Sequence, residues 1–163
     1  MTVDTFKLFL NSTLLEQFPD VENPSEDAQY GEPPLTTIEP NPTIKNAVEV
    51  ANKSYSALIA RMPTKAVVRF DSDTFCLKTA LCFIYEYVLQ DHAMLHSLSL
   101  QTMSLSEDQI FNNYFALLKA EREDLNEMRK EALKEIEDKE TDTKNQGVML
   151  FHRYPRNSGG RLW

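Results

Sequence analysis

Apolar positions recur along this chain in four separate helical registers, divided by one proline-punctuated stretch and followed by a glycine- and arginine-rich end. From Asp4 to Gln17, Phe6, Leu10 and Leu14 share one helical stripe with Phe9 beside it, which predicts a short amphipathic helix. Between Phe18 and Pro42 the pattern stops. Prolines at 19, 24, 33, 34, 40 and 42 exclude a regular helix or a central strand, so an extended linker is expected there. Asn41-Pro42 then offers a cap followed by proline in the first turn. Ile44, Ala47, Val48, Ala51, Tyr55 and Leu58 follow at helical spacing, predicting a helix over 42–61 that ends at Met62-Pro63.

The segment 66–70 is too short to assign beyond a strand or an extended connector. Asp71, Ser72 or Asp73 can cap the next helix, expected over 73–95. Its apolar residues, from Phe75 to Leu89, cover most of the circumference, as in the central helix of a core. Residues 97–105 alternate Leu98, Leu100 and Thr102 and read as a strand or half a hairpin. Ser106 and Gln109 then form a capping-box pattern that opens the longest helix. Ile110, Phe111, Tyr114, Phe115 and Leu118 are its expected packed half. Beyond Glu121 the apolar face thins to Leu125, Met128, Ala132, Leu133 and Ile136, so the second half is expected to project or to meet another subunit. Leu125, Met128, Leu133 and Ile136 are the candidate subunit-interface residues.

The resulting expectation is a mainly α protein. It is a bundle of about four helices with a short extended or β segment, a long proline-rich N-terminal linker and an extended C-terminal tail. The chain divides into three parts: an N-terminal helix with an acidic linker over 1–41, a helical core over 42–146, and a docking tail over 147–163.

Composition changes this picture in two ways. The net charge is −8, and residues 1–40 carry eight acids against Lys7 alone, a net of −7, so the other residues sum to −1. No basic face is expected for gripping nucleic acid phosphates. The start, Met1-Thr2-Val3-Asp4, lacks the basic and apolar regions of a secretory leader, and the apolar run 75–89 is shorter than a membrane span needs. Two cysteines, Cys76 and Cys82, fit neither a disulfide framework nor a zinc pattern. A reducing, intracellular origin is expected.

Candidate chemistry is sparse. His92 and His96 have the spacing of two ligands on one helical face, but a third ligand and the HExxH glutamate are missing, so no metal site is expected. Glu121 with Asp124, and the row Glu127, Glu131 and Glu135, resemble the carboxylates of helical magnesium-dependent pyrophosphatases. The helix over 73–95 offers only Glu86 and Asp91 opposite, and the pairs Glu127 with Lys130 and Glu131 with Lys134 read instead as a solvated face. No nucleophile motif, phosphate loop or dinucleotide fingerprint is present. Neither catalysis nor a cofactor is expected.

The tail, GVMLFHRYPRNSGGRLW, stands apart. Leu150, Phe151, Tyr154, Leu162 and Trp163 are apolar anchors, and Arg153, Arg156 and Arg161 are forks for carboxylates or carbonyls. These residue types are enriched where one protein docks in another. Protein docking is therefore favoured over contact with RNA or DNA and over a plain unstructured end.

A compact helical core, a long charged final helix and an extended Arg-, Pro- and Gly-rich tail together resemble the head-to-tail adaptor (connector) proteins of tailed bacteriophages. MTVDTFK at the start and FPDV at 18–21 are similar to the opening of the long-tailed-phage adaptors. GEPPLTTIE at 31–39 is similar to a segment of tubular tail protein A of short-tailed phages. The acidic, proline-rich insert between the first two helices departs from that pattern. The resemblance implies a ring of about twelve copies beneath a portal protein, with tail or neck proteins as further partners. It also implies a location in the virion neck after synthesis in the host cytoplasm. The tail would reach into the portal, and the acidic N-terminal region would let DNA slide past rather than stick. Sequence-specific nucleic acid contact and a membrane play no part in that expectation. The alternative is a helical regulatory protein that binds a single cellular partner.

Overall fold

The computed structural model describes residues 1–24, 36–62, 67, 69–102 and 105–150, with 24, 36 and 135–150 described by backbone alone. Six helices and one two-stranded ribbon make up the described residues: α1 Val3–Lys7, α2 Ser12–Leu15, β1 Val21–Pro24, β2 Thr36–Glu39, α3 Pro42–Ile59, α4 Ser72–Gln90, α5 His92–Thr102 and α6 Glu107–Leu150. The chain is mainly α with a small β element.

The central layer is α3, α4 and α6, with α4 in the middle. Its α3–α4 seam is built on small residues: Ala47, Ala51 and Ala80 are fully buried, and the Cys76 Sγ reaches the Ala51 carbonyl at 4.0 Å. Without larger side chains between them, the two helices approach closely. Ile44, Ile84 and Val88 fill the same core, closed from the side by Phe6, Leu10, Leu14 and Phe18. Burying a phenylalanine such as Phe6 contributes about 2–3 kcal/mol. A second cluster joins α4, α6 and the end of α3 through Phe75, Cys82, Leu58, Met62, Leu118 and Leu125.

Five expectations are corrected. The single helix over 4–17 is two short ones. Thr2 caps α1, and Asn11 caps α2 by accepting from the Leu14 N–H at 2.7 Å, so a second start interrupts the stripe. The helix over 73–95 ends at Gln90, because Asp91 is extended and its carboxylate accepts from Ala93 N and Met94 N.

Residues 92–102 form helix α5 rather than a strand. Leu95 and Leu98 are buried one turn apart, and the Ser99 and Thr102 hydroxyls bond to carbonyls of the preceding turn, at His96 and Leu98. Val67 and Arg69 likewise have helical backbone rather than extended.

The proline-rich linker is not simply extended. Val21, Glu22, Asn23 and Pro24 pair antiparallel with Glu39, Ile38, Thr37 and Thr36. A two-stranded ribbon has only edges, where proline is tolerated. Its base is clipped to the body. The Asp20 carboxylate takes both a Lys7 ammonium bond and the Asn41 N–H, while the Asn41 amide donates to the Pro19 carbonyl. That lysine hydrogen bond holds the Asp20 pKa below the usual aspartate value. The Asn41 cap and the Ser106–Gln109 capping box both form.

Candidate interaction surfaces

Helix α6 runs antiparallel to α4 and is locked to it at three levels. Lys78 donates to Glu121 and Asp124, both at 2.7 Å, and Arg122 pairs with Glu86. Tyr85 packs on Tyr114, and the Arg129 guanidinium lies 5.6 Å from the centre of the Phe75 ring. Hydrogen bonds to Asp124 and then Glu121 raise the Lys78 pKa. The E-x-x-D step is thus occupied by a lysine of the facing helix.

The candidate interface residues fall differently from expectation. Leu125 is buried within its own chain, and Met128 and Leu133 pack against the same internal cluster. Leu125 is a core position, and Met128 and Leu133 are half-buried beside it, because α6 lies along α4 over this length; Ile136 is described by backbone alone. In the first half of α6, Ile110 and Leu118 are buried as expected. Phe111 and Phe115, expected to pack, are 41% and 53% exposed and stack on each other at 6.2 Å. The reason is angular. At 100° per residue, Ile110, Tyr114, Leu118 and Leu125 define the covered arc, and Phe111 and Phe115 sit on its flank, beyond the reach of α4.

Lys119 and Arg122 continue that flank, both well exposed. The stripe Phe111, Phe115, Lys119 and Arg122 therefore reads aromatic, aromatic, cation, cation along about 16 Å of helix. Reading for metal ligands and carboxylate rows missed it. The i, i+4, i+8, i+11 recurrence of two aromatics and two bases was the available signal.

Further along the same flank, a cleft of about 350 Å³ opens between α3, α4 and α6, lined by Val50, Thr79, Cys82, Glu86, Arg122 and Arg129. Desolvation raises the Cys82 pKa to about 11 and pushes up that of Cys76, so neither thiol has nucleophile character at neutral pH. Burial also raises the Tyr85 and Tyr114 values.

His92 is exposed, and the His96 ring meets the Glu107 carboxylate rather than its i−4 neighbour. Among the described residues, no group of three or more metal-ligating side chains converges. Glu127 and Glu131 are exposed, and Glu135 is described by backbone alone.

Of the expected docking tail, Gly147 to Leu150 belong to α6, so the helix passes the anticipated boundary. Phe151, Arg153, Tyr154, Arg156, Arg161, Leu162 and Trp163 lie outside the described residues. No helix among the described residues is long and apolar enough to cross a membrane. Comparison with family models, curated proteins and solved structures finds no match to this chain.

Proposed function

We propose that this chain is a structural subunit of a larger protein assembly, of the phage head-to-tail adaptor type, working through docking surfaces rather than through catalysis. The observation that supports this reading most is the stripe on α6. Two stacked, half-exposed aromatics followed by two cations flank a helix whose other face is already packed. Aromatic residues and arginine are the types that carry binding energy at protein interfaces. The acid-rich N-terminal region suits a surface that DNA passes without adhering, because like charge keeps the polyanion off it. In this proposal residues 151–163 supply the portal contact, with Leu162 and Trp163 as apolar anchors and Arg153, Arg156 and Arg161 as forks.

The test uses native material. A lysate is fractionated by size, and this chain is followed by mass spectrometry beside DNA-containing particles. Co-sedimentation with those particles at a constant ratio is expected, and loss of it on deletion of residues 159–163 assigns the tail contact. Migration near 18.8 kDa, or with one small partner, overturns the adaptor reading and leaves the single-partner regulatory alternative.

A further inference from the structure

The ribbon β1–β2 has an unusual position for so small an element. An isolated two-stranded ribbon is at best marginally stable in water, and it is normally covered on one face. Here Val21 is 39% and Ile38 66% exposed, with Glu22, Asn23, Thr37 and Glu39 exposed around them. The clip at its base fixes where the ribbon starts but covers neither aliphatic side chain. Directly opposed residues of an antiparallel pair share a face. The register therefore puts Glu22 with Ile38 on one face, and Val21 with Glu39 on the other. Among the side chains described, each face carries one aliphatic group beside one carboxylate.

The stripe on α6 has the reciprocal pattern. Phe111 and Phe115 offer an apolar platform, and Lys119 adds an exposed positive charge on the same flank, with Arg122 beside it paired to Glu86 of its own chain. Among the described residues Lys119 makes only a 4.0 Å, exposed contact with Glu123, so its ammonium can take a better partner. Sizes agree as well. A four-residue strand is about 13 Å long, against about 16 Å from Phe111 to Arg122. Both surfaces stand exposed in one chain, so neither covers the other within that chain.

We propose that the ribbon of one copy docks on the α6 stripe of a second copy, Ile38 against the Phe111–Phe115 platform and Glu22 toward Lys119. This rests on reading the chain as a repeated assembly subunit. Donor and acceptor are different surfaces, so the contact is heterologous: it propagates head to tail and closes into a ring when the rotation allows. The area is small for a protein interface, so a single contact is of the transient class, populated at high protein concentration, and closure adds avidity to it.

The experiment separates the two halves of the contact. Ile38→Asp blocks the donor, and the double variant Phe111→Ser with Phe115→Ser blocks the acceptor. All three positions are surface-exposed, and circular dichroism checks that each variant folds. By sedimentation velocity at about 100 µM, the wild type associates, and each blocked variant alone is monomeric. An equimolar mixture of the two then forms a dimer and nothing larger, because one good donor meets one good acceptor. Glu22→Lys weakens the association, and adding Lys119→Glu in the same chain restores it.

A monomeric mixture overturns the proposal, as does association of either blocked variant alone. If the mixture stays monomeric while the acceptor-blocked chain is lost from its native particle, the stripe receives a different protein and the proposal again fails. The adaptor reading is tested apart from this. Particles that incorporate Ile38→Asp at full ratio leave that reading standing and remove this contact. A mixed dimer from a chain absent from all large particles does the reverse.

Discussion

Single side chains in this molecule act mainly through what burial and pairing do to their charge. The Cys82 thiol is pushed to about 11 from a reference of 9.0, which lowers its thiolate fraction about 100-fold at pH 8. Iodoacetamide should therefore modify native Cys82 at least about 100-fold more slowly than it does in the urea-unfolded chain, read by mass spectrometry. Equal rates would place the thiol in water. Lys78 works in the opposite range. Its folded pKa is raised, so the pairing with Asp124 and Glu121 contributes fully below the unfolded value of 10.5 and is lost as pH rises through the folded one. Wild-type denaturation midpoints should fall in that alkaline window by more than those of Lys78→Met.

Asp71 has the acid-side sign. The Thr74 N–H and hydroxyl lower its pKa, so its cap is at full strength above 3.8 and fades as pH drops through the folded value. Asp71→Ala should cost about 1 kcal/mol at pH 7 and clearly less near pH 2. A penalty unchanged between the two would assign the loss to packing.

Along the elements, the decisive question is which face of α6 is inside. Leu125 is 5% exposed, so Leu125→Ala should destabilise the isolated chain by about 2–4 kcal/mol in urea. A pure subunit-interface residue would leave the monomer unchanged and alter only association. Helix starts were legible from sequence wherever a cap stood before an apolar run, as at Asn41, Asp71 and Ser106. Caps inside a run were not. Asn11 and Asp91 each restart a helix within a continuous apolar pattern, and periodicity alone cannot see the break.

The 97–105 strand reading failed for a related reason. Leu95 and Leu98 are buried one turn apart while Leu100 is 62% exposed, so packing of one helical face outweighed the local alternation. The ribbon was hidden because its register joins residues on either side of a proline-rich gap. For the candidate surface, the sequence held the residues of the stripe but not their exposure. Whether Phe111 lies under α4 or beside it depends on where α4 sits, which no local pattern encodes.

At the scale of the whole molecule, the described residues form a three-helix layer flanked by α1, α2 and α5, with an appended ribbon. Strength is unevenly shared. Where Ala47, Ala51 and Ala80 meet, the backbones come close and no long side chain has to be ordered. There is correspondingly no slack for added volume, so Ala51→Leu should separate the helices and cost about 1–3 kcal/mol, despite adding apolar surface. A midpoint unchanged in urea would mean that the seam has room.

The same alanine seam sets the order in which the protein comes apart. Amide protons around residues 47–51 and 76–84 can meet deuterium only when α3 and α4 part, which is the global event. Those of the ribbon need only a local opening. In deuterated buffer the ribbon should therefore exchange first and the seam last, so that the seam amides serve as an internal clock of complete unfolding, readable without denaturant.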